Sequence, residues 1–156
     1  MLNPTWNWLI IGYGNTLRGD DGVGYVIAET VAQWQLTGVR SIAVHQLTPD
    51  LSEVIAQSEQ ILFIDAVVPA ATPNPTVEIA PLTIDYNHTF TGHFADPGAL
   101  LAIAQTLYDH APTAYRLLIP TVSFEFGEQF SPLTQTSMEL ALDKIKQLVV
   151  PSSDNL

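Results

Sequence analysis

Cysteine is absent from the chain. That one absence excludes disulfides, thiolate metal sites and cysteine nucleophiles. Positive charge is scarce: five Lys and Arg stand against sixteen Asp and Glu, for a formal net charge of −11. A surface of that sign repels phosphate, so nucleic acid and anionic membrane are poor partners. No apolar run reaches the ~18 residues of a membrane span. Met1 to Trp8 carries no basic stretch ahead of its apolar part, so it does not read as a signal peptide. A cytoplasmic location is the default expectation. The Gly-Lys-Ser/Thr of a P-loop, the Gly-x-Ser-x-Gly of a serine hydrolase and the His-Glu-x-x-His of a zinc protease are missing too.

What is present suffices for one core. The chain has 156 residues, 47% of them hydrophobic and only 13% charged. Residues 1–150 read as a single α/β domain, and residues 151–156 as a frayed, disordered tail. Trp8 to Gly12 is a short apolar run ending in glycine, as a buried strand would be. Val23, Val26, Ile27, Thr30, Val31 and Trp34 then fall on one helical face. Val39 to Leu47 reads as a second strand, and Thr48-Pro49-Asp50 opens a short helix. Ile61 to Ile64 is a third buried strand, stopped by Asp65. Thr76 to Leu82 reads as a further strand at an edge. Asp96-Pro97 is a helix start whose helix carries Leu100, Ala104, Leu107 and Tyr108 on its apolar face. Arg116 to Val122 is a fifth strand, and Ser131-Pro132 opens a last helix with Met138, Leu142, Ile145 and Val149 inward. The sum is a three-layer sandwich: a twisted, mostly parallel sheet of about five strands with helices on both faces.

The densest signal is the segment from Gly12 to Gly24, which places five glycines and the pair Asp20-Asp21 between a strand and a helix. A dinucleotide loop is disfavoured, because Leu17 stands where the third glycine belongs and His45 and Gln46 stand where the ribose-binding acid belongs. So much glycine implies unusual backbone angles or a close approach. One of the two aspartates is expected to cap the helix; a cap does not account for both. Asp65, at a buried strand end, is costly unless paired, hydrogen-bonded or metal-bound. Strand ends of that polarity are where open parallel sheets bind ligands. Of the four histidines, His88 reads as surface and His110 as a helix-end residue suited to the dipole. Composition alone does not choose between His45 and His93 as a partner for the carboxylates. Two carboxylates and an imidazole suit a divalent transition metal with open positions.

Gly12-x-Gly-Asn15 followed by Asp20-Asp21-Gly22-x-Gly24, then Ile64-Asp65-Ala66, then His93 ahead of a helix, resembles the nickel–iron hydrogenase maturation endopeptidases, in the same order from about Trp8 to Val149. The resemblance implies that Asp21, Asp65 and His93 are the metal-contacting and catalytic residues. It implies removal of a C-terminal extension from the hydrogenase large-subunit precursor after nickel insertion, with nickel delivered bound to the substrate. The stretch His45-Gln46-Leu47, where many members carry Asp-Gly-Gly-Thr, looks like the branch that serves bidirectional, NAD-coupled hydrogenases. It is expected to line the substrate groove. The chain is expected to act as a monomer. The same residues would also serve a non-catalytic nickel-binding or metallochaperone module.

Overall fold

Alternate residues of the first strand serve two different cores. The computed structural model describes residues 4–68, 75–87, 96–122, 124–127 and 129–150. Its sheet has five strands in the order β2-β1-β3-β5-β4: β1 (Trp6–Tyr13), β2 (Val39–Val44), β3 (Ser58–Val67), β4 (Glu78–Leu82) and β5 (Thr113–Pro120). The helices are α1 (Val23–Gln33), α2 (Ser52–Ala56), α3 (Pro97–Tyr108) and α4 (Pro132–Val149). The first three strands and β5 run parallel, and β4 is antiparallel at the edge. Pro81 is tolerated in β4 because an edge strand need not donate on its outer side.

Trp8 and Ile10, with Leu62, Ile64, Leu117 and Ile119, pack against Val23, Ile27 and Val31 of α1 and Ala141, Ile145 and Val149 of α4. Leu9 and Ile11, with Ile61, Phe63 and Ala114, pack against Ile55 of α2 and Leu100, Leu101 and Ala104 of α3. Side chains alternate across a strand, so one eight-residue strand feeds both layers. The three-layer sandwich with a mostly parallel sheet is the architecture expected from the sequence.

Several details differ. β3 continues past Asp65 to Val67, because Asp65, Ala66 and Val67 pair with Leu118, Ile119 and Pro120. β2 stops at Val44, three residues short of Leu47. On α3 the buried face runs through Leu100, Leu101 and Ala104, while Leu107 is exposed. On α1, Val23, Ile27 and Val31 are fully inside and Val26 and Trp34 only half-buried; Glu29 and Gln33 face solvent. Among the described residues, no helix is long and apolar enough to cross a membrane.

The topology creates one special place. From β1 the chain leaves through α1 to β2 on one side; β3 lies on β1's other side and leads on towards β5. Outgoing connections therefore diverge at the carboxyl ends of β1 and β3, a switch point where open α/β sheets form crevices.

Candidate functional site

The loop leaving β1 is folded back on itself. Gly14, with φ of +148°, has the carbonyl oxygen of Asp21 where a Cβ would sit. Gly12 is pressed in the same way against the carbonyl of Gly24 in α1. The glycines thus serve a loop-on-loop and helix-on-strand approach. The fold-back ends in a 3-10 turn, Gly19–Gly22, that carries both aspartates and runs directly into α1.

Neither aspartate caps that helix, since neither the turn nor α1 has a side-chain cap. Asp20 points inward, is 1% exposed, and accepts hydrogen bonds from the backbone N–H of Val122 (2.9 Å), the N–H of Ser131 (2.8 Å) and the Ser131 hydroxyl (2.8 Å). Ser131 is itself the N-cap of α4. Asp20 therefore ties the loop to the end of β5 and the start of α4. Asp21 points the other way. Its Oδ2 accepts from the N–H of Asn15 at 2.9 Å, while Asn15 Oδ1 accepts from the N–H of Leu17 at 2.9 Å. Asp21 lines an open groove of about 710 Å³ with Asn15, Thr16, Leu17, Arg18, His45 and Gln46.

Asp65 lies on β3 beside that loop. Its Oδ2 is 3.4 Å from Arg116 Nη2, and the Tyr13 phenol at the end of β1 lies on its other side and favours the charged carboxylate. Burial pushes the Asp65 carboxyl above the usual aspartate range, and the nearby charge of Asp21 adds to the rise; Arg116 and Tyr13 oppose it. The Tyr13 phenol is likewise pushed up, by burial first and then by the Asp65 charge, so it remains a proton donor at neutral pH. The Asp21 charge is the smallest of the influences on Asp65, and both residues lie beside the switch point between β1 and β3.

The other sequence candidates fall in different places. His93 and His88 lie outside the described residues. His45 is exposed on the groove, its ring stacked on Tyr25 at 4.9 Å with an interplanar angle of 10°. Gln46 lines the groove too, but Leu47 is 3% exposed and packs into the α2–α3 core. Leu47 is therefore withdrawn as a residue that contacts substrate: its side chain secures the stretch, and His45 and Gln46 face outward. His110 Nε2 bonds the Ser58 carbonyl at 2.9 Å, at the other end of β3 from Asp65, and so has a structural part. Among the described residues, no group of three His, Cys, Asp or Glu side chains converges to hold a metal ion. Asp21 and Asp65 can supply two carboxylate ligands. Sequence reasoning passed over Tyr13 and Arg116. An arginine inside an apolar strand, in a chain with only five basic residues, was the available signal.

No protein-family model matches the chain, and no curated protein matches its sequence. Solved structures do match. The chain resembles the NiFe hydrogenase maturation protease HycI from Thermococcus kodakarensis with a TM-score of 0.72 at 17% identity, over 94% of each chain. The hydrogenase maturating endopeptidase HybD from E. coli matches with a TM-score of 0.67 at 19% identity, over 92% of this chain and 91% of that one. The NiFe hydrogenase maturation protease HybD from Thermococcus kodakarensis matches at 0.66 and 20% identity, over 91% and 98%. The fold is that of the hydrogenase maturation proteases. The likeness runs nearly end to end in both chains.

Proposed function

We propose that this chain is an endopeptidase that removes the C-terminal extension of a nickel–iron hydrogenase large-subunit precursor once nickel is in place. The observation that supports it is the place of Asp21 and Asp65 beside the switch point of a fold shared with maturation proteases. In this reading, nickel arrives with the substrate and is cargo, not a resident cofactor. Asp21 and Asp65 offer it carboxylate oxygen, and His93 supplies the third ligand. The metal provides Lewis acidity towards the scissile carbonyl. The chain's own residues register the substrate. The loop hydrogen bond from Asn15 fixes Asp21, and Tyr13 and Arg116 fix Asp65. The protein acts as a monomer in the cytoplasm.

His45 and Gln46 form the wall of the groove opposite the glycine loop. Their place in that groove supports the reading that the substrate is the precursor of a bidirectional, NAD-coupled hydrogenase. Exchanging His45-Gln46-Leu47 for an Asp-Gly-Gly-Thr type stretch should slow processing of such a precursor; unchanged processing removes the stretch from recognition.

The deciding experiment incubates the chain with nickel-loaded and nickel-free precursor and reads the mass of each. Loaded precursor should lose its tail, and nickel-free precursor should stay whole. If loaded precursor is bound but left intact, the chain is a nickel-binding assembly module.

A further inference from the structure

Arg116 is an expensive residue to keep where it is. It lies in β5 on the same sheet face as Phe63 and Asp65, since Phe63 pairs with Arg116 and Asp65 with Leu118. Its guanidinium reaches along the sheet towards the strand ends, bringing Nη2 to 3.4 Å from Asp65 Oδ2. From the opposite neighbour, β1, the Tyr13 hydroxyl meets the same carboxylate. Asp65 thus has a polar group beside it from each adjoining strand.

Stability does not account for the arrangement. The two side chains are 36% and 22% exposed, and ion pairs so open to water contribute little. Among the described residues the Nε–H of Arg116 is buried without a hydrogen-bond partner, which counts against folding. A leucine or methionine at this position would avoid that penalty. What only a cation supplies here is a counter-charge to Asp65, which otherwise faces the like charge of Asp21. Asp85 and Asp96 line one cavity of about 360 Å³ with Arg116.

We infer that Arg116 is a positioning residue for Asp65: it fixes the carboxylate at the switch point, and its loss disables the site without unfolding the chain. The inference rests on the endopeptidase reading. Its consequence is that geometry at Asp65, not the fold, depends on residue 116.

The test compares wild type with Arg116→Met, Arg116→Lys and Tyr13→Phe. Crystal structures and melting curves are recorded together with kcat and KM on nickel-loaded precursor. Arg116→Met should melt within a few degrees of wild type, with the Asp65 carboxylate swung away from Tyr13. Its kcat should fall ~100-fold, as expected for a misplacement of about 1 Å, with KM changed less than ~3-fold. Arg116→Lys keeps the cation and should recover at least ~10-fold of that loss. Wild-type kcat in Arg116→Met, an unmoved Asp65 carboxylate, or no recovery by lysine would each overturn the inference. Failure of Arg116→Met to fold overturns the claim that its loss spares the fold; Tyr13→Phe then reports on the carboxylate alone. A turned carboxylate and a lowered kcat uphold the two-sided clamp, and an unmoved carboxylate with wild-type kcat overturns it. Failure of wild type to cut loaded precursor overturns the endopeptidase reading instead; the position of the Asp65 carboxylate in Arg116→Met then still decides the part played by Arg116.

Discussion

Asp20 and Asp21 are chemically identical neighbours that lie in opposite kinds of surroundings. Asp20 is sealed behind the glycine loop and gives its oxygens to three donors more than a hundred residues further along the chain. Asp21 faces the open groove and spends one oxygen on the N–H of Asn15 in its own loop. The tight 3-10 turn sends successive side chains to different sides. One aspartate therefore fastens three elements together, and the next is left facing the open groove. Burial and hydrogen bonding, not residue type, separate the two carboxylates.

The sharpest way to break the comparison is Asp20→Ala. It strands three part-buried donors, each of which bonds a charged acceptor, so unfolding free energy should fall by ~3 kcal/mol. Urea unfolding followed by circular dichroism measures it, and a loss below ~1 kcal/mol would mean Asp20 is not the fastener described.

Asp21→Ala, Asp65→Ala and His93→Ala should do the reverse. Each should fold, yet cleavage of nickel-loaded precursor should slow by ~100-fold or more, because two remaining ligands do not fix the reacting carbonyl. Asp21→Glu should be milder, since carboxylate oxygen is kept. Product mass after a fixed incubation checks this. Full cleavage by the folded Asp65 or His93 variant would remove that residue from the ligand set.

Val31→Ala calibrates the stability scale away from either aspartate. Val31 is 2% exposed between α1 and the sheet, and its truncation should cost ~1–3 kcal/mol with cleavage by the folded fraction unchanged. A loss near zero would contradict the buried face of α1.

The smallest effect is a pH dependence at Asp65. Its carboxyl is raised in the folded chain, chiefly by burial, so the native state holds that proton more tightly than the unfolded state. Stability due to this group is therefore greatest at low pH. It declines as pH rises from the ordinary aspartate range through the raised value. Asp65→Asn lacks the charge, so its stability relative to wild type should increase from pH ~4 to pH ~7. Paired urea midpoints across that range test it; a difference that shrinks with rising pH would reverse the sign assigned to the burial.

Much of this was legible beforehand, and particular residues show why. The helical faces of α1 and α4 and the apolar strands are periodic, and periodicity is a local property of the chain. Asp65 could be singled out because a carboxylate next to four apolar residues needs a partner. The partner itself was not legible. Arg116 lies fifty-one positions on, and only the parallel register of β3 with β5 brings it to Asp65. Leu47 was misread for a related reason. Its neighbours His45 and Gln46 face the groove, and the chain beyond the end of β2 turns Leu47 into the core. The direction of a side chain past a strand end depends on the loop's path, which periodicity does not describe.

By itself, then, the amino-acid order determined the α/β class, the strand–glycine–helix unit and the pair of acids that stand out from an apolar background. These follow from alternation, helical spacing and the backbone freedom of glycine, all of which act within a dozen residues. Tertiary structure alone decided which of two adjacent aspartates would be buried. It also decided which strands would flank Asp65, and that a tyrosine from one and an arginine from the other would hold its carboxylate. Those outcomes depend on strand order and on hydrogen bonds that span the chain, and such contacts form only when the sheet is assembled.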